Sequence, residues 1–186
     1  MTDLPWSRMR QPDQRSCGPS SVVAARMLLD PAYADAVREA PEDRFAADVL
    51  STHRRATSPV VAGRLQVPWP RALGTPPWAV ARELSAVSGP GAPARRYGWR
   101  LSVFRPGAAF DRVAAGVDSG RPVGLYVGNA WLPRHVVLAV GRASETGLWV
   151  YDPAKGARTE VTRAAVESRS LTLGRWDRLW FDVSPR

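Results

Sequence analysis

Met9-Arg-Gln-Pro-Asp-Gln-Arg-Ser-Cys17-Gly-Pro-Ser-Ser, followed by the apolar run Val22-Val-Ala-Ala-Arg-Met-Leu-Leu29, decides how the chain is read. It holds Cys17, the one cysteine among 186 residues, directly before Gly18-Pro19. Proline is tolerated in a first helical turn because its missing N–H has no intrahelical partner there. Val22, Ala25 and Leu29 then recur at the spacing of one helix face, with Val23 and Leu28 widening the stripe. The spacing therefore predicts a helix that opens at Cys17. Such a thiol faces the positive end of the helix dipole and unpaired backbone N–H groups, which suits a nucleophile if a base can reach it. The helix should end near Asp30-Pro31, because the residue before a proline is pushed out of the helical region.

A chain of 186 residues that is 45% hydrophobic and carries eight tryptophans can bury a core of its own, and one domain over residues 1–186 is expected. A single cysteine excludes an intrachain disulfide and a multi-cysteine zinc site, and no metal or organic cofactor is expected. No run reaches the length of a membrane-spanning helix. The first residues, with Asp3, Pro5 and Trp6, hold no apolar leader core, so a cytoplasmic protein is the expectation. The net charge of +9 is almost all arginine, Lys155 being the one lysine. These arginines are dispersed, as on a solvated basic surface, and nucleic acid is not the expected partner.

Helical signals dominate the first half. Residues 41 to 55 open on Pro41, Glu42 and Asp43, with Phe45, Val49 and Leu50 on one side. His53 lies near that helix's end, where a cation is ordinary, so it is read as structural. Residues 58 to 77 read as a proline-broken loop in which Trp69 packs on the core. Thr75 would cap a third helix that runs to about Val87 and buries Trp78, Ala81, Leu84 and Val87. A connector over residues 88 to 93 follows, with Gly89-Pro90-Gly91 at its centre.

The second half is strand-like. Residues 97 to 104 alternate with Trp99, Leu101 and Val103 on one side, and a short helix spans 108 to 118. Further strands are expected at 122–127, 135–140, 148–151 and 179–183, with a helix from its N-cap Thr162 to about Glu167. Helices that lead and an antiparallel sheet that follows make the fold class α+β.

A cysteine nucleophile needs a base and a group that orients the base. The chain has two histidines, and His135 opens the run His135-Val-Val-Leu-Ala-Val-Gly141. The next strand ends in Tyr151-Asp152-Pro153. If the two strands form a hairpin through the turn at Gly147, His135 and Asp152 come close to opposite each other at its open end. A carboxylate there would fix the imidazole tautomer. Gln11 or, as second choice, Gln14 could join the Cys17 N–H at a developing oxyanion; Asp13 is disfavoured, since its carboxylate would oppose that charge.

The series Gln11, Cys17-Gly-Pro, Arg121-Pro-Val, His135-Val-Val-Leu-Ala-Val-Gly141 and Tyr151-Asp-Pro-Ala-Lys-Gly156 resembles the peptidase C39-like branch of the papain-like cysteine peptidases. The family order Gln, Cys, His, Asp is kept, and Val136 stands where the family often has an aromatic. The resemblance implies a papain-like domain, with the nucleophile at a helix N-terminus packed on a C-terminal antiparallel sheet. It also implies Cys17 as nucleophile, His135 as base, Asp152 as its partner and Gln11 in the oxyanion hole. The expected substrate is a peptide or protein; the leader peptides cut by exporter-linked family members are not carried over. The same residues serve deamidases, transglutaminases and acyltransferases of the effector or toxin type. From another class, a non-enzymatic binding module could use the tryptophan- and arginine-rich surface, with affinity that falls steeply with salt.

Overall fold

The computed structural model describes residues 4–61, 64–87, 89 and 93–186. Most of the expected connector, residues 88 and 90–92, lies outside them, as does Asp3. Helix α1 (Cys17–Leu29) is buried on nearly every side, only Arg26 being exposed. It is thus a central helix and not one with a single apolar stripe. Asp30 closes α1 and also opens α2 (Pro31–Arg38), where its carboxylate accepts from the Tyr33 N–H at 3.1 Å. A carboxylate cap followed by proline at the first helical position is a sufficient start signal. α3 (Pro41–Ala56) follows, packs on α1 and buries Phe45 and Val49.

The proline-rich stretch contains a small hairpin, β1 (Val60–Val61) with β2 (Arg64–Leu65), and a 3-10 turn over Arg71–Leu73. Trp69 is half-buried there, edge-on to Trp78 at 5.3 Å between ring centroids. α4 spans Pro77–Ala86. Its cap position is Pro76, not Thr75, and no side chain caps it. Its most buried residues include Val80 and Glu83 beside Ala81 and Leu84, while Trp78 is half-buried.

β3 (Tyr97–Leu101), α5 (Pro106–Asp118), β4 (Val123–Gly128), β5 (Pro133–Ser144), β6 (Gly147–Asp152), β7 (Ala157–Thr162), α6 (Arg163–Glu167) and β8 (Arg178–Pro185) complete the described elements. Six strands form one antiparallel sheet in the order β3-β8-β4-β5-β6-β7. The fold class is therefore α+β, as the segregation of signals predicts. Thr162 caps α6 through its side chain, which accepts from the Ala165 N–H at 3.2 Å.

The helical layer is not confined to one face. A core with Met9, Met27, Phe45, Leu138 and Tyr151 lies on the α1 side, and a second with Phe110, Val113, Val137 and Val150 lies against α5. Val136 and Leu138 face the first while Val137 and Ala139 face the second, which is why β5 reads as a continuous apolar run. At the edges the pattern fades. β7 buries only Val161, so its sequence carries no apolar alternation and the strand is absent from the sequence-based reading. β3 stops at Leu101 and its burial does not alternate as predicted: Tyr97 and Gly98 are buried, whereas Trp99 and Leu101, on this edge strand, are 44% and 46% exposed.

Candidate active site

Cys17 is the first residue of α1 and is 7% exposed. The preceding loop is tied by its own side chains. Asp13 Oδ1 accepts from the Arg15 N–H at 2.8 Å, and the Ser16 hydroxyl donates to the Asp13 carbonyl at 3.2 Å. The Ser16 side chain makes no capping bond to the helix, so it does not occupy the N–H groups of the first turn. Gly18 lets α1 approach the neighbouring loop: a Cβ there would sit 3.1 Å from Thr75 Cβ. The Thr75 carbonyl in turn accepts from the Tyr126 hydroxyl at 2.7 Å.

His135 enters from β5 just past an irregularity in the β4–β5 pairing, where Val127 faces His135 and Gly128 faces Pro133. The intervening loop is shaped by Asn129, whose side-chain oxygen accepts from the N–H groups of Trp131 at 2.9 Å and Leu132 at 3.0 Å. Gly128 is required at its base, since a Cβ would lie 2.0 Å from the Leu132 carbonyl oxygen. Asp152 ends β6. Its Oδ1 contacts His135 Nε2 at 2.7 Å and accepts from the Ala154 N–H at 3.0 Å. Gly156, at φ +62, closes the turn by donating to the Asp152 carbonyl at 2.9 Å.

The β5–β6 ladder pairs Leu138 with Tyr151, so Asp152 stands diagonally from His135 and not directly across. Long side chains span such a diagonal. The hairpin predicted through Gly147 therefore does join these two residues, in a slightly shifted register. The Cys17 side chain lies near enough to the His135 ring for its charge to favour the imidazolium. With Nε2 engaged by Asp152, Nδ1 is the nitrogen left for the sulfur.

Burial of His135 opposes its charged form, but its hydrogen bond to Asp152 and the charges of Asp152 and Cys17 outweigh it and lift its pKa to about 9. For Asp152 burial likewise disfavours the charge, yet the His135 bond and charge hold its carboxyl below the ordinary value. Burial raises the Tyr126 hydroxyl well above its ordinary range, and the Cys17 charge adds to that. Tyr126 is thus a neighbour of the site that sequence reasoning missed; inside an apolar strand it carries no signal beyond core packing.

These shifts predict a pH-dependent stability. A histidine whose folded pKa is about 9 against an ordinary 6.5 binds its proton more tightly when folded. Its contribution is complete below about pH 6.5 and is lost as pH rises through about 9. Asp152, shifted down, contributes above its ordinary 3.8 and loses that contribution as pH falls through its folded value. The gap in Tm between wild type and His135→Ala should therefore narrow as pH rises through 9 in thermal unfolding scans. A gap that stays constant would contradict the shift.

Gln11 is half-buried, and its N–H donates to the Pro153 carbonyl at 2.9 Å, which ties it to the turn that carries Asp152. Its side-chain amide donates to the Asp13 carbonyl at 2.7 Å, and its Oε1 is buried without a partner. Gln14 is exposed, and Asp13 holds the loop together. His53 lies in the helical layer, 5% exposed, with Nε2 buried and unpartnered. Burial pushes its pKa down, so it is not the helix-end cation that its position suggests. Among the described residues no three His, Cys, Asp or Glu side chains converge as metal ligands, and no helix is long and apolar enough to cross a membrane.

No protein-family model and no curated protein matches the chain. Among solved structures it is similar to the peptidase domain of ComA from Streptococcus, a bifunctional ABC transporter involved in a quorum-sensing pathway. The two are 14% identical, the alignment covers 95% of this chain and 96% of that one, and the TM-score is 0.45. An overlay that loose assigns no residue a role.

Proposed function

We propose that the chain is a papain-like thiol hydrolase that acts on a peptide or amide bond. The observation that carries this reading is the 2.7 Å contact of His135 Nε2 with Asp152 Oδ1, with Cys17 near enough to the same ring for its charge to act on it, three residues 118 and 17 positions apart on a helix start and two strand ends. Cys17 Sγ attacks the carbonyl carbon while His135 holds the proton on its ring, and Asp152 fixes the ring and stabilises its charged form. The oxyanion is met by the Cys17 backbone N–H and by the Gln11 amide, which must then leave the Asp13 carbonyl. His135 passes its proton to the leaving amine as the C–N bond breaks, and an acyl-enzyme remains. Water then attacks, gives a proton to His135 and releases the acid with the thiol restored. An amine in place of water would make the same site a transferase, and a glutamine side chain as acyl donor would make it a deamidase. Mass spectrometry separates these outcomes: a cut backbone, a new amide, or about +1 Da on glutamine.

The link from Cys17 to His135 is tested without knowing the substrate. Iodoacetamide should alkylate Cys17 of wild type roughly tenfold faster at pH 7 than Cys17 of His135→Ala, because the imidazole stabilises the reactive sulfur anion. Equal rates in the two proteins would sink the proposal. A binding module with no chemistry at Cys17 predicts that equality, together with salt-sensitive binding that survives Cys17→Ala.

A further inference from the structure

On the α5 side of the sheet, away from Cys17, residues of β3, β8 and α5 line a cleft of about 270 Å³. Arg95, Arg100, Arg112 and Arg186 are among the residues that line it, with Ser119 and Ser184 beside them. Among the described residues, Arg112 is the one of the four arginines whose side chain forms an ion pair. Its Nη2 lies 2.5 Å from Oδ1 of Asp182, a fully buried carboxylate that also takes a 2.6 Å bond from the Ser102 hydroxyl and one from Ser184. Among the described residues, Arg95, Arg100 and Arg186 form no ion pair. Four arginines thus line one small cleft in which the Asp182 side chain, engaged by Arg112, is the one side-chain carboxylate paired with any of them, an arrangement that favours a bound anion.

The cleft is also built, not merely charged. Asp182 and Ser102 hold the Arg112 guanidinium in one orientation beneath it. Arg186 lies across bare backbone at Gly98, where a Cβ would come within 2.1 Å of its Nε. Guanidinium groups donate paired N–H bonds to tetrahedral oxyanions, and a dianion answers more than one of them. A cleft of about 270 Å³ takes a single such group with a small substituent, whereas an acidic polypeptide or nucleic acid needs an extended groove.

We propose that this cleft binds a phosphate dianion, either inorganic phosphate or the phosphoryl group of a small phosphomonoester. The inference does not depend on chemistry at Cys17. Titration calorimetry with inorganic phosphate and with phenyl phosphate tests it, run beside thermal unfolding in sodium phosphate against sodium chloride of equal ionic strength. At tenfold excess over Kd, phosphate should raise Tm by about 3–6 °C. Arg100→Gln, and independently Arg95→Gln, should weaken binding at least about tenfold and remove the Tm rise. Both arginines are exposed, so neither change threatens the fold. Cys17→Ala and a control at the remote exposed Arg54, Arg54→Gln, should bind phosphate as wild type does. Tighter binding of phenyl phosphate would identify a phosphomonoester as the ligand, and tighter binding of phosphate the free ion. An equal Tm rise in chloride, unchanged affinity in both arginine variants, or binding of a polyanionic RNA with none of phosphate would overturn the proposal.

Discussion

Cys17→Ala should reduce kcat/KM on a cleavable peptide by about 10⁴-fold or more, and His135→Ala by a similar factor, while both proteins stay folded. The sulfur and the imidazole act as one unit in the proposed reaction, so the double variant should lose little beyond either single one. That non-additivity is the signature to look for, because two merely structural residues far apart in sequence would give losses that multiply. Asp152→Asn should fall between wild type and His135→Ala, since it keeps a hydrogen bond at 2.7 Å range but removes the charge that favours the imidazolium. Gln11→Ala should cost about 10²–10³-fold, the usual loss for one oxyanion donor, with KM little changed. A peptide library digested by each variant and read by mass spectrometry gives the cleavage rates. Cleavage by Cys17→Ala at the wild-type rate would remove the nucleophile from the mechanism. Loss of the folded circular-dichroism signal in the same variant would mean a structural role instead.

Asp182→Ala is expected to be among the most damaging single changes to stability, at about 3–5 kcal/mol. Asp182 is fully buried and joins three partners: Arg112, Ser102 at 2.6 Å and Ser184. Removing it strands a cation and two hydroxyls beneath the β3–β8 edge, and the cost comes chiefly from leaving them unpaired. Urea unfolding measures the loss as a shift in midpoint at constant slope. Arg112→Met in the same chain should recover a good part of it, because the uncompensated charge is then gone. A loss below about 1 kcal/mol would mean that solvent reaches the site and satisfies those groups.

The apolar period carried much of the fold. α1, α3, α5, β4, β5 and β6 lie close to where spacing and proline placement put them, since each buries a strong apolar face. What failed had weak local signals. β7 is a polar edge strand defined by its pairing with β6, and the true cap position of α4 was hidden behind Thr75, which bears a cap-type side chain but makes no cap. α2 is absent from the sequence-based reading, in which Asp30-Pro31 marks only the end of α1, although the helix buries Tyr33, Ala34 and Val37 at helical spacing.

The candidate site divides the same way. Local sequence was enough to put Cys17 at a helix start, to put His135 and Asp152 at the open end of one hairpin, and to propose them as partners. A hairpin's register follows from its turn and its apolar alternation, both of which are local. The approach of Cys17 to that hairpin was a matter of tertiary structure, because it depends on α1 lying buried between α3 and β5. So did the change in His53 from a helix-end cation to a buried group pushed toward neutrality, and the exposure of Trp99 on an edge strand. A side chain's charge and contacts are set by whatever packs against it, and residues that arrive from more than a hundred positions away leave no mark on the local pattern.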